Sequence, residues 1–233
     1  MKMKKTFEKK VSPDMNNEEF RRFEQKQIVR LKNNRSIVIR LDGKDVTKNK
    51  KKYDLSDLGN YRKHLLEAAG KTMTNYLQDT EKCFVYTVMD EISFVFPNAR
   101  TFLRCFNDGN IVYCSSVFLQ QFLRNLPDPL MFGINTFQYD DIWEYIAWRK
   151  RIGYQCGLIY LCKKYNKNYY LSEQRKELST EEIIEKIRQD SKFYELVMGN
   201  QEFLSGKTVK YEGVYKEDKL LVKATGISVK QNI

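Results

Sequence analysis

The sequence predicts an α+β fold, and three observations carry that prediction. Short runs rich in β-branched and aromatic residues recur along the chain, as at 36–41, 84–96 and 207–225. Between them lie longer segments whose apolar residues return at helical spacing, the clearest being Leu58, Tyr61, Leu65, Ala69, Met73 and Tyr76. No internal repeat and no Pro- or Gly-rich linker divides the 233 residues, so one domain over 15–233 is expected, with a helical elaboration from about residue 138.

Residues 1–14 read as a basic tail ending at Ser12-Pro13-Asp14. From Asn17 a polar cap, early acids and late bases suit a helix start. Ser36 to Leu41 reads as a central strand ending at Asp42-Gly43, and Lys48 to Asp54 as a charged loop. A helix of about 20 residues then leads into a hairpin over 84–96 whose tip is Asp90-Glu91. Strands are expected near 101–106 and 110–114, followed by a helix from Ser115 to Arg124, a break at Asn125 to Pro129 and a strand near 131–136. A long helix from Asp140 to Tyr165 should bury Ile142, Tyr145, Ile152, Cys156 and Ile159. Ser179-Thr-Glu-Glu182 has the form of a capping box opening a helix to Gln189. Lys207 to Lys216 and Leu220 to Thr225 form a closing hairpin.

Composition narrows the chemistry. Lys and Arg number 41 against 30 acidic residues, a formal charge of +11, and such an excess attracts polyanions, nucleic acid first among them. The single histidine, His64, falls inside a predicted helix, which leaves little room for imidazole-based catalysis or metal binding. Five scattered cysteines (Cys83, Cys105, Cys114, Cys156, Cys162) with no paired spacing read as core thiols. No apolar run has membrane length and no secretory signal follows the basic N-terminus, so the expected compartment is the cytoplasm.

Two acidic motifs stand out, Asp42-Gly43 at a strand end and Asp90-Glu91 at a hairpin tip. Each alone is open to a plain reading, as a turn and as a solvated tip. If the strands are neighbours, however, Asp42 and Asp90 meet at one end of the sheet, and adjacent carboxylates both ionise readily only around a divalent cation. Oxygen ligands without histidine select Mg²⁺, or Mn²⁺, and point to two-metal phosphoryl or nucleotidyl transfer. Gly43 would let its carbonyl approach the ion, and Lys44 would reach phosphate.

In order along the chain, these motifs resemble the tRNA(His) guanylyltransferase family and its 3′-to-5′ polymerase relatives. The resemblance rests on Phe20-Arg-Arg-Phe-Glu24, Arg40-Leu-Asp-Gly-Lys44, Phe84 to Phe96, Asn110 to Ser116, Tyr145-Ile-Ala-Trp-Arg149 and Lys207-Thr-Val-Lys-Tyr211. It implies a polymerase palm-like antiparallel sheet, Asp42, Asp90 and Glu91 as the catalytic carboxylates, and two Mg²⁺ ions on Asp42, Asp90 and the Gly43 carbonyl with Glu91 in support. It further implies that Gly43, Lys44, Asp45, Val46, Thr47 and Met89 bind nucleotide. ATP or GTP would be substrates, tRNA or a tRNA-like RNA the acceptor at its 5′ end, and the assembly a tetramer. The chain departs from the family pattern at Val46-Thr47, where Phe-His is usual, at Met89, where Ser is usual, and over Lys150 to Gly157. Two other uses of the same scaffold stay open: a nucleotide product made from free triphosphates, and RNA binding without catalysis.

Overall fold

A computed structural model describes residues 31–44, 58–107, 109–127, 131–165, 178–217 and 219–227. The basic tail, the helix expected from Asn17, the Lys48–Asp54 loop and Asp45 to Thr47 lie outside the described residues.

Strand β1 (Ser36–Gly43) is followed by α1 (Leu58–Met73), the hairpin β2 (Lys82–Val88) and β3 (Glu91–Phe96), then α2 (Ala99–Leu103), α3 (Ile111–Arg124) and β4 (Phe132–Tyr139). Four helices come next: α4 (Ile142–Tyr165), α5 (Thr180–Arg188), α6 (Ser191–Met198) and α7 (Gln201–Ser205). The chain closes with β5 (Lys207–Lys216) and β6 (Lys219–Ile227). The strands form one antiparallel sheet in the order β4-β1-β3-β2-β5-β6. The expected α+β class with a palm-like antiparallel sheet is therefore what the chain adopts. The helical elaboration is inserted rather than terminal, because β5 and β6 return to the sheet beside β2.

Period-two alternation explains why β1 is interior. Ile37, Ile39 and Leu41 point to one face and join Val85, Ile92, Phe94 and Phe96 in the main core under α1, α2 and α3. Val38 points to the other, with Phe84, Val95, Tyr145 and Ile146 of α4. Arg40 and Asp42 share that second face by the same alternation. In the main core Tyr76 stacks on Phe102 at 5.5 Å between centroids, and Phe118 meets Phe94 edge-on at 4.8 Å. Tyr76 belongs to this core although α1 ends before it, at Met73.

In place of the strands expected at 101–106 and 110–114 the chain forms α2, a turn after Leu103, and α3 from Ile111. Asn98 accepts a hydrogen bond from the Arg100 N–H and opens α2. Asn110 accepts from the N–H groups of Val112 and Tyr113 and opens α3. The apolar run Thr101 to Phe106 suits either structure, and the cap together with burial of Phe102 on Tyr76 decides it. Ser179 makes the expected capping box with Glu182 at the start of α5.

Helix α4 buries Tyr145 and Ile159 as expected and half-buries Ile142 and Ile152, but its buried face is broader than the expected one. Two rows at four-residue spacing are buried, Tyr145-Arg149-Gly153-Gly157-Leu161 and Ile146-Lys150-Tyr154-Leu158-Cys162, while Cys156 is exposed. The glycines are there for close approach: a Cβ on Gly153 would stand 2.8 Å from both Val88 methyls, and one on Gly157 3.0 Å from Leu204. The stretch that departs from the family pattern thus presses α4 onto the β2 end and onto the separate core of α5, α6 and α7. Of the five thiols Cys83, Cys114 and Cys162 are buried, and Cys105 and Cys156 are not.

Candidate active site at the β1 end and the β2–β3 turn

Strands β1 and β3 pair with Asp42 directly opposite Glu91, which brings Asp90 to the end of β1. The Gly43 N–H donates to the Asp90 carbonyl at 3.1 Å and ties the two acidic segments together. On the other side of β1, Gly133 of β4 lies opposite Asp42, and the Lys44 N–H donates to the Met131 carbonyl at 2.7 Å. The Lys44 ammonium turns back to Asp42, Nζ to Oδ2 being 3.6 Å. A Cβ on Gly133 would stand 2.6 Å from Lys44 Cε, so the glycine leaves the space this side chain occupies.

Burial pushes the Asp90 carboxyl above its usual range and the neighbouring Asp42 charge adds to that, against its own backbone N–H and the Lys44 ammonium. Two carboxylates at one strand end, one of them reluctant to ionise, together with a glycine carbonyl in the same segment, form a donor set suited to a hard divalent cation. Among the described residues no cluster of three or more His, Cys, Asp or Glu side chains forms a ready-made cage. An ion held by this pair would complete its shell with water and phosphate oxygen, as Mg²⁺ usually does.

The turn itself differs from the expected tip. Its two residues are Met89 and Asp90, and Glu91 is already the first residue of β3. Met89 has φ +51°, the left-handed region that two-residue hairpin loops usually give to Gly, Asn or Asp. A methionine there carries roughly 1–2 kcal/mol of backbone strain. Met89→Gly is therefore expected to stabilise the fold by about 0.5–1 kcal/mol after the entropy cost of glycine, read from urea denaturation. An unchanged or lower midpoint would show that the turn is not under strain.

Glu91 is buried and committed. Its Oε1 accepts from Arg149 Nε at 3.0 Å, its Oε2 from Arg149 Nη2, and Arg40 Nη1 lies 3.3 Å from the same Oε2. Ser93 Oγ stands 3.4 Å from Oε1 and 2.9 Å from the Tyr145 hydroxyl. Burial pushes the Glu91 carboxyl up, with Arg149 and Arg40 pulling it down. Its oxygens are occupied by guanidinium, so Glu91 anchors α4 to the sheet, beside Asp42. Arg149 is the structural half of this ion pair, and its guanidinium also lies 5.1 Å from the Trp148 ring.

Six of the nine predicted site residues are thus placed. Asp42, Gly43, Lys44, Met89, Asp90 and Glu91 gather at one end of the sheet, and Asp45, Val46 and Thr47 fall outside the described residues. Arg40 and Gly133 carried no assigned role in the sequence reading. Their signals were an arginine inside the apolar run Ser36 to Leu41 and a glycine inside a strand.

The sequence profile of the tRNAHis guanylyltransferase family matches residues 17–140, the stretch that contains both acidic segments. The chain belongs to this family. No curated protein sequence matches it. Among solved structures, its fold is similar to that of a bacterial tRNA(His) guanylyltransferase (Thg1)-like protein in complex with ATP, at 14% identity over 90% of each chain and a TM-score of 0.58. A bacterial Thg1-like protein in complex with GTP is similar at 15% identity over 90% of this chain and 89% of that one, TM-score 0.57. The tRNA(His) guanylyltransferase of Saccharomyces cerevisiae is 16% identical over 89% of this chain and 96% of its own, TM-score 0.55. The guanylyltransferase profile ends at the start of α4, so the helix that supplies Arg149 lies beyond it.

Proposed function

We propose that the protein is a Mg²⁺-dependent nucleotidyltransferase that adds nucleotides to the 5′ end of tRNA or a tRNA-like RNA in the cytoplasm, in the 3′-to-5′ direction. The observation that carries the reading is the juxtaposition of Asp42 and Asp90 by the Gly43 to Asp90 backbone hydrogen bond. Family membership and the basic composition support it.

Asp42, Asp90 and the Gly43 carbonyl would hold two Mg²⁺ ions. When bound, these ions would neutralise triphosphate charge and lower the pKa of an attacking hydroxyl. Lys44 is placed to move from Asp42 to a phosphate oxygen, exchanging one charge-assisted contact for another. Glu91, Arg40 and Arg149 keep the β1–β3 end and α4 in register, so the two carboxylates are presented without side-chain rearrangement.

The test is incubation with Mg²⁺ and each labelled nucleoside triphosphate, with and without a tRNA lacking its 5′ nucleotide, beside Asp90→Ala. Label on the RNA 5′ end with the wild type alone is the expected result, and no incorporation under any condition would overturn the reading. Lys44→Ala should weaken apparent triphosphate affinity about tenfold, the worth of one hydrogen bond to a charged group. Unaltered affinity would remove Lys44 from the phosphate site.

A further inference from the structure

A cavity of about 890 Å³ lies on the opposite face of the sheet from Asp42, between α1, the end of α4, α7 and the β5–β6 ribbon. That is the upper end of the range for small-molecule sites, about 300–1,000 Å³, so it has room for more than one nucleoside. Among the described residues its lining carries five basic residues, Arg62, Lys63, Lys71, Lys164 and Lys207, and one acid, Glu67, which Lys63 already meets at 3.9 Å. Aromatic rings stand among the cations: Phe203 and Tyr160 lie 5.6 Å apart, and the Arg62 guanidinium sits 5.4 Å from the Phe203 ring. The floor is firm, because the Tyr211 hydroxyl donates to the Leu66 carbonyl at 2.6 Å.

We propose that this groove is a subsite for an unpaired stretch of RNA, with Lys71, Lys164 and Lys207 on its phosphates and the Phe203–Tyr160 wall against its bases. The inference rests on the reading of the chain as an RNA nucleotidyltransferase. Phosphate-binding cations beside aromatic rings that are partly open to solvent, as Tyr160 and Phe203 are, suit single strands. Paired RNA is held by shape across its minor groove, which a recess does not offer. Position supports the assignment as well. Lys207 pairs in register with Thr87, and Thr87 with Ile92, next to Glu91. The backbone at Lys207 therefore lies two strand spacings, about 10 Å, from Ile92 near the start of β3, with the sheet between the groove and Asp42.

The test uses the full-length protein and a labelled oligouridylate of about twelve nucleotides. Lys71→Glu with Lys164→Glu is expected to lower affinity at least about tenfold and to reduce the salt slope by about 1.4, two lost phosphate contacts on a single strand. The control is Lys186→Glu with Lys192→Glu, which makes the same change in net charge on exposed sites of α5 and α6 and should leave affinity and slope near wild type. Acetylation of the wild type gives a readout that depends on no variant's folding: bound oligouridylate should protect Lys71, Lys164 and Lys207 while Lys186 and Lys192 react freely. Equal losses in the two double variants would overturn the groove in favour of a diffuse surface field. Protection by polyglutamate but not by oligouridylate would reassign it to an acidic protein segment. A groove variant with wild-type RNA affinity, in an enzyme that still labels RNA, would overturn this inference alone. A wild type without RNA affinity would overturn it together with the proposed function.

Discussion

Asp90→Asn is expected to reduce nucleotide transfer by at least about a hundredfold, a typical loss when one preorganised electrostatic group is removed, while leaving RNA affinity nearly unchanged. The same change should raise the melting temperature in the absence of divalent ions. Burial and Asp42 hold the folded-state pKa of Asp90 above its ordinary 3.8. The folded chain then binds the proton more tightly than the unfolded chain, so stability falls as pH rises from the unfolded value through the raised one, and stays lower above it. Asparagine removes that loss. A divalent ion bound as proposed would offset it in the wild type, so Mg²⁺ should raise the melting temperature of the wild type and much less that of Asp90→Asn. Equal Mg²⁺ shifts in both proteins would take Asp90 out of the metal site, whatever happened to activity.

Arg149→Met is expected to destabilise the fold by about 3 kcal/mol, at the lower end of the range for breaking a buried ion pair because Arg40 stays beside Glu91. Urea denaturation would measure it. Adding Glu91→Gln to Arg149→Met should restore part of the loss, since an amide left among Ser93 and Arg40 costs less to bury than an unpaired carboxylate. Without that rescue the loss would belong to the packing of α4 rather than to the charge pair. Activity should fall along with stability in Arg149→Met, because Asp42 stands opposite Glu91 and shares the face that α4 covers.

Helix and strand were legible where period and caps agreed. The alternating Ile37 to Leu41 run, the Ser179 capping box and the closing hairpin needed no tertiary information. At Thr101 to Phe106 the residues suit both structures, and the outcome rested on Asn98 as a cap and on a ring stack with Tyr76, a contact between segments distant in sequence. Helix α4 was recognisable as a helix with Tyr145 and Ile159 buried, but its full buried face was not legible, because that face also holds an ion pair and two glycines, which no hydrophobic pattern registers.

Local pattern was enough to set Asp42-Gly43 and Asp90 at strand and turn ends, and their meeting follows once β1 and β3 are neighbours. The partner of Glu91, by contrast, is visible only once the helices are packed on the sheet. The adjacency of Glu91 to Asp90 suggested a shared role, yet successive residues at a strand start face different surroundings, and the partner that claims Glu91 is Arg149, 58 residues away. The same holds for the basic groove, whose lysines come from α1, α4 and β5. Charge count reveals their excess, and only packing of those elements gathers them around two aromatic rings.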